Sequence, residues 1–213
     1  MIDNYEVDRF GVIHQIEFEP IVYDKTYISY YEDLSDRTIK LGYQRLGWLL
    51  GMLDRIPSSV LEIGYGTFIE AARITGVPTC VGCDIADYPL PDGVAFMDWR
   101  RALGQSWDLV AMFDVLEHIP DLTFLEKLKT KHLAIAVPYC RWKEHGDGGD
   151  DWLRDWRMLL PNEHLHHFDR ESLVALLAHY GFRCRTLNTF EDGIRLREGE
   201  TGPNILSGFF ERV

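Results

Sequence analysis

The sequence has few cysteines, no excess of positive charge and no long apolar run, and each absence excludes a class of protein. Four cysteines in 213 residues are too few and too scattered for a disulfide scaffold. The net charge of -12 opposes non-specific binding to the phosphates of nucleic acid. No apolar run approaches the roughly 18 residues that span a membrane, and the N-terminus does not resemble a signal peptide. We therefore expect a cytoplasmic protein without nucleic-acid or membrane partners.

Two of the cysteines, Cys80 and Cys83, have the spacing of a zinc or redox motif. The segment around them has the pattern of a strand, which would place their side chains on opposite faces. No second pair completes a zinc site. We expect both to be buried thiols of the core.

The chain from residue 35 onward alternates between strand and helix patterns. Ser35 is a candidate N-cap for a helix over 36–53. Further helices are predicted over 67–75, 122–131 and 170–180, and strands over 59–63, 79–84, 94–97, 107–113, 132–137, 182–190 and 205–212. Several strands are nearly all apolar, as expected when helices cover both sheet faces. The pattern predicts an α/β, Rossmann-like, three-layer sandwich whose last two strands, with no helix between them, pair antiparallel.

Two further segments stand out from this alternation. Residues 1–34 are rich in aromatics, are strand-like over 11–18, and are predicted to be an arm that caps the site or forms a homodimer contact. The long link after the fifth strand, 139–168 within a domain of residues 35–213, carries three of the six tryptophans, Trp142, Trp152 and Trp156. Links of this length are usually functional, so we expect a lid that contacts the bound substrate.

Ligands of such sheets bind beyond the carboxyl ends of the strands. The first of these ends is the run Val60-Leu61-Glu62-Ile63-Gly64-Tyr65-Gly66, in which two glycines permit a tight turn. A dinucleotide fingerprint would need glycine or alanine at position 69, which is Ile69. Asp84 ends the next strand, where a carboxylate can accept hydrogen bonds from ribose hydroxyls. Asp98 can either contact an adenine or cap a helix that begins at Trp99.

The strongest motif is Asp114-Val115-Leu116-Glu117-His118-Ile119-Pro120, which follows the apolar strand 107–113. Together with the glycine turn about fifty residues earlier, it resembles class I methyltransferases that use S-adenosylmethionine (SAM). It is most similar to small-molecule methyltransferases, including the ubiquinone-pathway O-methyltransferases. The resemblance covers about residues 45–213. It implies a seven-stranded, mostly parallel sheet with an antiparallel last strand, and methyl transfer to an oxygen or nitrogen of a small-molecule acceptor.

The resemblance also implies roles for residues at the strand ends. Glu62 would lie near the amino-acid end of SAM, while Phe68 replaces the last glycine of the family pattern. The residues implied in cofactor binding are Glu62, Gly64, Tyr65, Gly66, Asp84, Ile85, Asp98, Trp99, Asp114 and Val115.

Histidines are the candidates for acceptor chemistry. His118 can remove a proton from a hydroxyl acceptor, since its ordinary pKa lies near neutrality; the alternative is that it only packs on the next helix. A Glu-His-x-x-His-Phe stretch near the acceptor in related enzymes adds His167, and a helical turn would place His164 on the same side. Asp169 is expected to cap the next helix. The run Asp114, Glu117 and His118 can hold a divalent metal in ubiquinone-pathway enzymes, but most sequences with this motif need none, and no metal is assigned.

The sequence is also compatible with other functions. The alternatives are a catalytically silent SAM-binding module and a nicotinamide-dependent oxidoreductase, which Ile69 disfavours. A protein or RNA methyltransferase is disfavoured by the acidic charge and by the absence of a Pro-Pro-Tyr type of motif after the fourth strand.

Overall fold

The computed structural model describes residues 2–21, 35–85, 89–196, 199 and 202–213. They form a seven-stranded sheet with helices on both faces and a separate three-stranded sheet. The large sheet contains β3 (Ser59–Ile63), β4 (Thr79–Cys83), β5 (Ala95–Phe96), β6 (Ser106–Phe113), β7 (Lys129–Pro138), β9 (Phe182–Asn188) and β10 (Ile205–Arg212). The small sheet contains β1 (Tyr5–Val7), β2 (Ile13–Gln15) and β8 (His166–His167).

The helices connect these strands and cover the large sheet. They are α1 (Ser35–Leu53), α2 (Thr67–Ile74), α3 (Trp99–Gly104), α4 (Phe124–Lys127), α5 (Gly149–Asp155), α6 (Arg170–His179) and α7 (Asp192–Arg195). Two 3-10 segments, Leu116–His118 and Trp142–Gly148, follow β6 and β7. No helix in the described ranges is long and apolar enough to cross a membrane.

The strand order of the large sheet is β5-β4-β3-β6-β7-β10-β9. β3, β4, β5, β6 and β7 pair in parallel, whereas β10 pairs antiparallel with both β7 and β9. This confirms the predicted fold class, including the antiparallel last strand. In this order β4 lies on one side of β3 and β6 lies on the other, so the strand order reverses direction at β3. The carboxyl ends of the parallel strands β3 and β6 therefore lie side by side.

Apolar residues on the two faces of the sheet form separate core clusters. One cluster packs β3 and β6 against α4 and α6, and the other packs them against α1 and α2. Cys83 belongs to the first cluster and Cys80 to the second, and both are buried. The prediction of buried thiols on opposite faces is therefore confirmed.

Three sequence-based expectations about elements are wrong. The helix predicted over 122–131 is only one turn, because residues from Lys129 onward join β7 and pair with β6. Lys129 and Lys131 are exposed while Thr130 is buried, which is the alternation of a strand. A one-turn helix, α7, lies between the last two strands. The helical turn expected at His164 to His167 is absent from the described structure; His166 and His167 instead form β8 and pair with β2.

The small sheet joins the N-terminal residues to the long link 139–168, which follows β7. β2 lies between β1 and β8, and Ile2, Tyr5 and Ile13 share an apolar cluster with Leu153 of α5. The three tryptophans of the link pack against this cluster. Residues 2–21 and the link thus form one structural unit. The rest of the predicted arm (residues 1 and 22–34) and the predicted cap by the Ser35 side chain lie outside what the structure describes.

Candidate active site

The turn after β3 is built around Gly64 and Glu62. Gly64 adopts φ +68, and a Cβ at this position would clash with Val115 from the turn after β6. The buried Glu62 carboxylate accepts hydrogen bonds from the backbone N–H groups of Gly66 at 3.0 Å and Ile69 at 2.9 Å. The Glu62 carboxylate therefore holds the backbone of the turn after β3. This turn lies in direct contact with the turn after β6.

Burial raises the pKa of Glu62 to about 7, against the opposing effect of its backbone hydrogen bonds. The two large side chains of this turn, Tyr65 and Phe68, are both buried. Phe68 points into the core and meets Phe113 edge-to-face, so its bulk does not narrow the turn. Tyr65 is buried against the backbone of Gly82. Gly66, by contrast, has open space where a side chain would be.

The residues after β4 and β5 lie along the same edge of the sheet. Asp84 is half-buried directly after β4, and Ile85 is exposed. Asp98 caps α3, since its side chain accepts a hydrogen bond from the Arg101 N–H at 3.1 Å. Trp99 packs on Phe124 with ring centroids 5.0 Å apart. The capping role of Asp98 is confirmed, and its contact with an adenine stays a prediction.

Asp114 is engaged by two arginines. It adopts φ +58 and binds Arg195 Nη1 at 2.6 and 2.8 Å and Arg45 Nη2 at 3.2 Å. Arg45 also binds the buried Glu191 through two contacts, of 2.7 and 2.9 Å. Burial opposes ionisation, but Arg195 and Arg45 hold the pKa of Asp114 below its usual range. Asp114 is therefore a charged acid with its partners already supplied by the protein.

Glu117, three residues later, has a contrasting environment. Its side chain is 1% exposed, and neither carboxylate oxygen accepts a hydrogen bond from another residue in the described ranges. Burial raises the pKa of Glu117 well above its usual range, and the nearby charge of Asp114 raises it further. Such a buried acid is costly unless a proton or a bound cation compensates it.

Two histidines lie beside this carboxylate. The rings of His118 and His164 meet edge-to-face with centroids 4.8 Å apart, and His118 Nε2 is 4.0 Å from Glu117 Oε1. One ligand-type atom from each of the three residues lies within 4.8 Å of the others. Burial and the neighbouring His164 lower the pKa of His118 to about 4. His118 is therefore a neutral imidazole near pH 7 and can accept a proton.

His167 lies elsewhere, in a row of aromatic rings that leads from the surface inward. His145 stacks on Trp152, Trp152 stacks on Trp156, and Trp156 meets His167 edge-to-face at 5.6 Å. Tyr5 lies 5.7 Å beyond His167. The His167 Nε2 and the Tyr5 hydroxyl are buried without hydrogen-bond partners among the described residues. His167 is thus outside the cluster of Glu117, His118 and His164.

The sequence of the chain matches a known family. The sequence profile of a methyltransferase domain family matches residues 32–187 of this chain. The chain belongs to this methyltransferase family. The predicted enzyme class, a SAM-dependent methyltransferase, is confirmed; the closer likeness to ubiquinone-pathway enzymes stays a prediction. No curated protein sequence matches the chain.

Solved structures show the same fold at low sequence identity. The plantazolicin methyltransferase BpumL, in complex with a substrate analogue and S-adenosylhomocysteine (SAH), is 13% identical with a TM-score of 0.59, over 88% of this chain and 89% of its own. Magnesium protoporphyrin IX methyltransferase from Synechocystis, with bound SAH, is 14% identical with a TM-score of 0.56, over 90% and 96%. A Haloferax volcanii methyltransferase in complex with the Trm112 activator is 14% identical with a TM-score of 0.58, over 88% and 94%.

The sequence analysis of this methyltransferase missed several residues of the site. Arg45 on α1 and Arg195 and Glu191 near α7 are far in sequence from Asp114, and no local pattern marks them. The pairing of His164 with His118 was also missed, because the predicted helical turn placed His164 with His167 instead. A weak signal was present, since His164 follows an acid in a long link that is rich in functional side chains.

Proposed function

We propose that this methyltransferase transfers the methyl group of SAM to an oxygen or nitrogen of a small-molecule acceptor at the carboxyl edge of β3 and β6. The observation that carries the proposal is the contact between Gly64 and Val115. Because these two turns touch, a cofactor lying on the first would present its reactive end to the residues that follow the second.

Backbone and carboxylate groups at this edge suit the cofactor. Gly66 opens toward solvent at the beginning of α2, where a ligand can approach the backbone closely. Asp84 lies beyond β4, at the position from which a carboxylate accepts hydrogen bonds from ribose hydroxyls. We assign the remaining predicted contacts to the same ligand: Glu62, Tyr65, Ile85, Asp98, Trp99, Asp114 and Val115.

His118 is the proposed acceptor-side base. Methyl transfer from a sulfonium is an in-line displacement, so positioning the acceptor is the main task of the protein. When the acceptor is a hydroxyl, a neutral imidazole nearby accepts its proton as the new bond forms. The lowered pKa of His118 keeps the ring neutral near pH 7, and the same shift makes the ring a weaker base, so positioning of the acceptor carries most of the effect.

The row of aromatic rings supports acceptor binding by the link after β7. This link leaves the sheet at the carboxyl end of β7 and returns through Leu165, whose N–H donates to the Glu117 carbonyl at 2.8 Å. Arg141 lies over Trp152 at 6.0 Å. Stacked aromatic rings beside an arginine suit a planar or acidic small molecule. The unpartnered nitrogen of His167 is the polar group we assign to acceptor contact.

Calorimetry with SAM and SAH, and with NADH as a control, tests the cofactor assignment. We expect micromolar binding of the first two ligands, weakened at least about tenfold by Asp84→Ala, since two ribose hydrogen bonds are lost. Binding of NADH in their place would contradict the proposal.

Replacement of His118 then separates an enzyme from a silent binding module. With an acceptor found by screening, we expect His118→Ala to lower kcat by about 100-fold or more while SAM affinity stays within about twofold. Unchanged turnover in this variant would remove His118 from the chemistry.

A further inference from the structure

The cluster of Glu117, His118 and His164 has the composition of a metal site. Two of its members come from the 3-10 segment after β6, and the third comes from the link that returns toward β8. Their candidate ligand atoms all lie within 4.8 Å of one another. Ligand atoms around an ion bound at about 2.1 Å lie roughly 3.0–3.4 Å apart, so small side-chain rotations would close the set.

The unpartnered Glu117 carboxylate is the independent observation that points to a cation. Native buried acids are normally paired or hydrogen-bonded. The Glu117 carboxylate accepts no hydrogen bond within the described part of the chain, and it lies 4.0 Å from His118 Nε2, whose ring is neutral near pH 7. The negative charge of Asp114, by contrast, is balanced by Arg45 and Arg195, which both bind its carboxylate. Glu117 has no such partner, although its carboxylate faces two imidazoles.

Both imidazoles are oriented in the way that metal ligands usually are. His164 Nδ1 lies 2.8 Å from the Met158 carbonyl, so this nitrogen carries the proton and Nε2 keeps its lone pair. A hydrogen bond to the Glu163 backbone holds the His118 ring, whose Nε2 is the nitrogen nearest the Glu117 carboxylate. A backbone carbonyl behind a ligating imidazole fixes its tautomer and direction.

We infer that Glu117, His118 and His164 bind one divalent first-row transition ion, such as Mn²⁺, Fe²⁺, Co²⁺ or Zn²⁺. Two imidazoles and one carboxylate favour these ions over Mg²⁺ and Ca²⁺, which prefer all-oxygen sites. The set differs from the one suggested by the sequence run, because Asp114 is held by arginines and His164 takes its place.

Three protein ligands leave coordination positions open for an acceptor. This step rests on the proposed function: an acceptor hydroxyl on the ion would lose its proton to water, since a bound cation lowers its pKa. The oxygen would then form a bond to the methyl carbon as the carbon–sulfur bond breaks, and the thioether SAH would leave uncharged. In that case His118 acts as a ligand rather than as the base.

Metal binding is measured on tag-free protein after treatment with a chelator. Titration with Co²⁺, followed by calorimetry and by the visible absorption of the bound ion, gives affinity and stoichiometry. We expect one equivalent bound with micromolar affinity or better, and much weaker binding of Mg²⁺. Glu117→Gln and His164→Ala should each weaken Co²⁺ binding by more than about 100-fold. This loss of affinity is larger than the usual effect of removing a group that only orients a metal ligand.

His167→Ala is the matched control, because His167 is equally buried and belongs to the same segment but lies outside the cluster. This variant should keep full Co²⁺ affinity, and near-UV circular dichroism establishes that each variant is folded. Asp114→Asn should also keep it. No saturable binding by the wild type, or equal binding by folded His164→Ala, would overturn the inference. SAM binding to the chelated protein tests the proposed function separately, so the two can fail independently.

Discussion

The proposed cofactor end and the proposed acceptor end of this methyltransferase differ in how their buried and half-buried polar groups find partners. At the cofactor end, Glu62 accepts two backbone hydrogen bonds and Asp114 binds two arginines. At the proposed acceptor end, the Glu117 carboxylate and His167 Nε2 have no hydrogen-bond partners among the described residues. In the first region the protein itself supplies the hydrogen bonds and ion pairs. In the second region a bound ligand or ion would have to supply them.

This difference has a physical basis in cost. A buried polar group without a hydrogen bond costs about 1–3 kcal/mol, and more if it is charged. A fold tolerates such groups where a ligand will later satisfy them, which is why unpartnered buried atoms mark candidate binding sites. The comparison therefore supports the proposed metal contact at Glu117 and the proposed acceptor contact at His167, and it makes the following variants informative.

The largest effect is expected where the two ends touch, at Gly64. Gly64→Ala should lower the free energy of unfolding by about 3 kcal/mol, because φ is positive and the new Cβ would clash with Val115. SAM affinity should fall as well. Gly76→Ala is the control, since Gly76 also has positive φ but open space around it, and we expect about 1 kcal/mol. Chemical denaturation measures both, and equal losses would show that the clash is unimportant.

The next test uses Asp108, a buried carboxylate that lies away from the candidate site and accepts hydrogen bonds from neighbouring residues. Asp108 at the start of β6 is 3% exposed, accepts two hydrogen bonds from Arg55 at 2.6 and 2.8 Å, and accepts one from the Ser58 N–H at 2.8 Å. Asp108→Asn should cost about 3 kcal/mol at pH 7 because Arg55 and Ser58 lose the charged acceptor. The control is Glu211→Gln on the surface, for which we expect a change too small to separate from wild type.

The cost of Asp108→Asn should depend on pH. The hydrogen bonds from Arg55 hold the pKa of Asp108 well below its usual value, which is about 3.9 in an unfolded chain. The stability contributed by the ionised carboxylate is therefore present above about pH 4 and is lost as the pH falls through the folded-state pKa. Denaturant unfolding at pH 6 and at pH 2.5 should show the difference between wild type and variant shrinking, and a constant difference would contradict this account.

The contrast between the two ends can be tested on two acids of one turn. In chelator-treated protein without SAM, Asp114→Asn should cost about 2 kcal/mol, since Arg45 and Arg195 lose their charged partner. Glu117→Gln should leave the free energy of unfolding unchanged or raise it by up to about 1 kcal/mol, because no partner is lost. Similar costs for the two variants would mean that Glu117 is satisfied within the protein.

The smallest effect is expected at Asp98, where capping and adenine contact are still alternatives. Asp98→Ala should cost about 1 kcal/mol through loss of the α3 cap. Asp98→Ser preserves a capping oxygen and should restore most of this stability, but its side chain is too short to reach a base. If Asp98 also contacts the adenine, calorimetry will show weaker SAM binding in both variants; unchanged affinity in both would leave only the cap.

Much of this methyltransferase was predictable from patterns that span a few residues. The capping of α6 by Asp169 with Ser172 and the placement of Cys80 and Cys83 are each local consequences of spacing. The prediction of the helix over 122–131 was wrong because pairing with β6 outweighed local helix preference. The position of β8 could not be predicted, since it forms by pairing with β2, about 150 residues earlier in the chain.

The sequence by itself determined the order along the chain of the seven strands of the large sheet, the glycine turn after β3, and the acid and histidine residues placed after β6. These depend on hydrophobic periodicity, on the backbone freedom of glycine and on capping, all of which act between near neighbours. Only the tertiary structure decided which acids are compensated and which histidine joins His118. Arg45 and Arg195 reach Asp114 from 69 and 81 residues away. Such contacts depend on how the helices pack on the sheet, and the residues next to Asp114 in the sequence do not predict them.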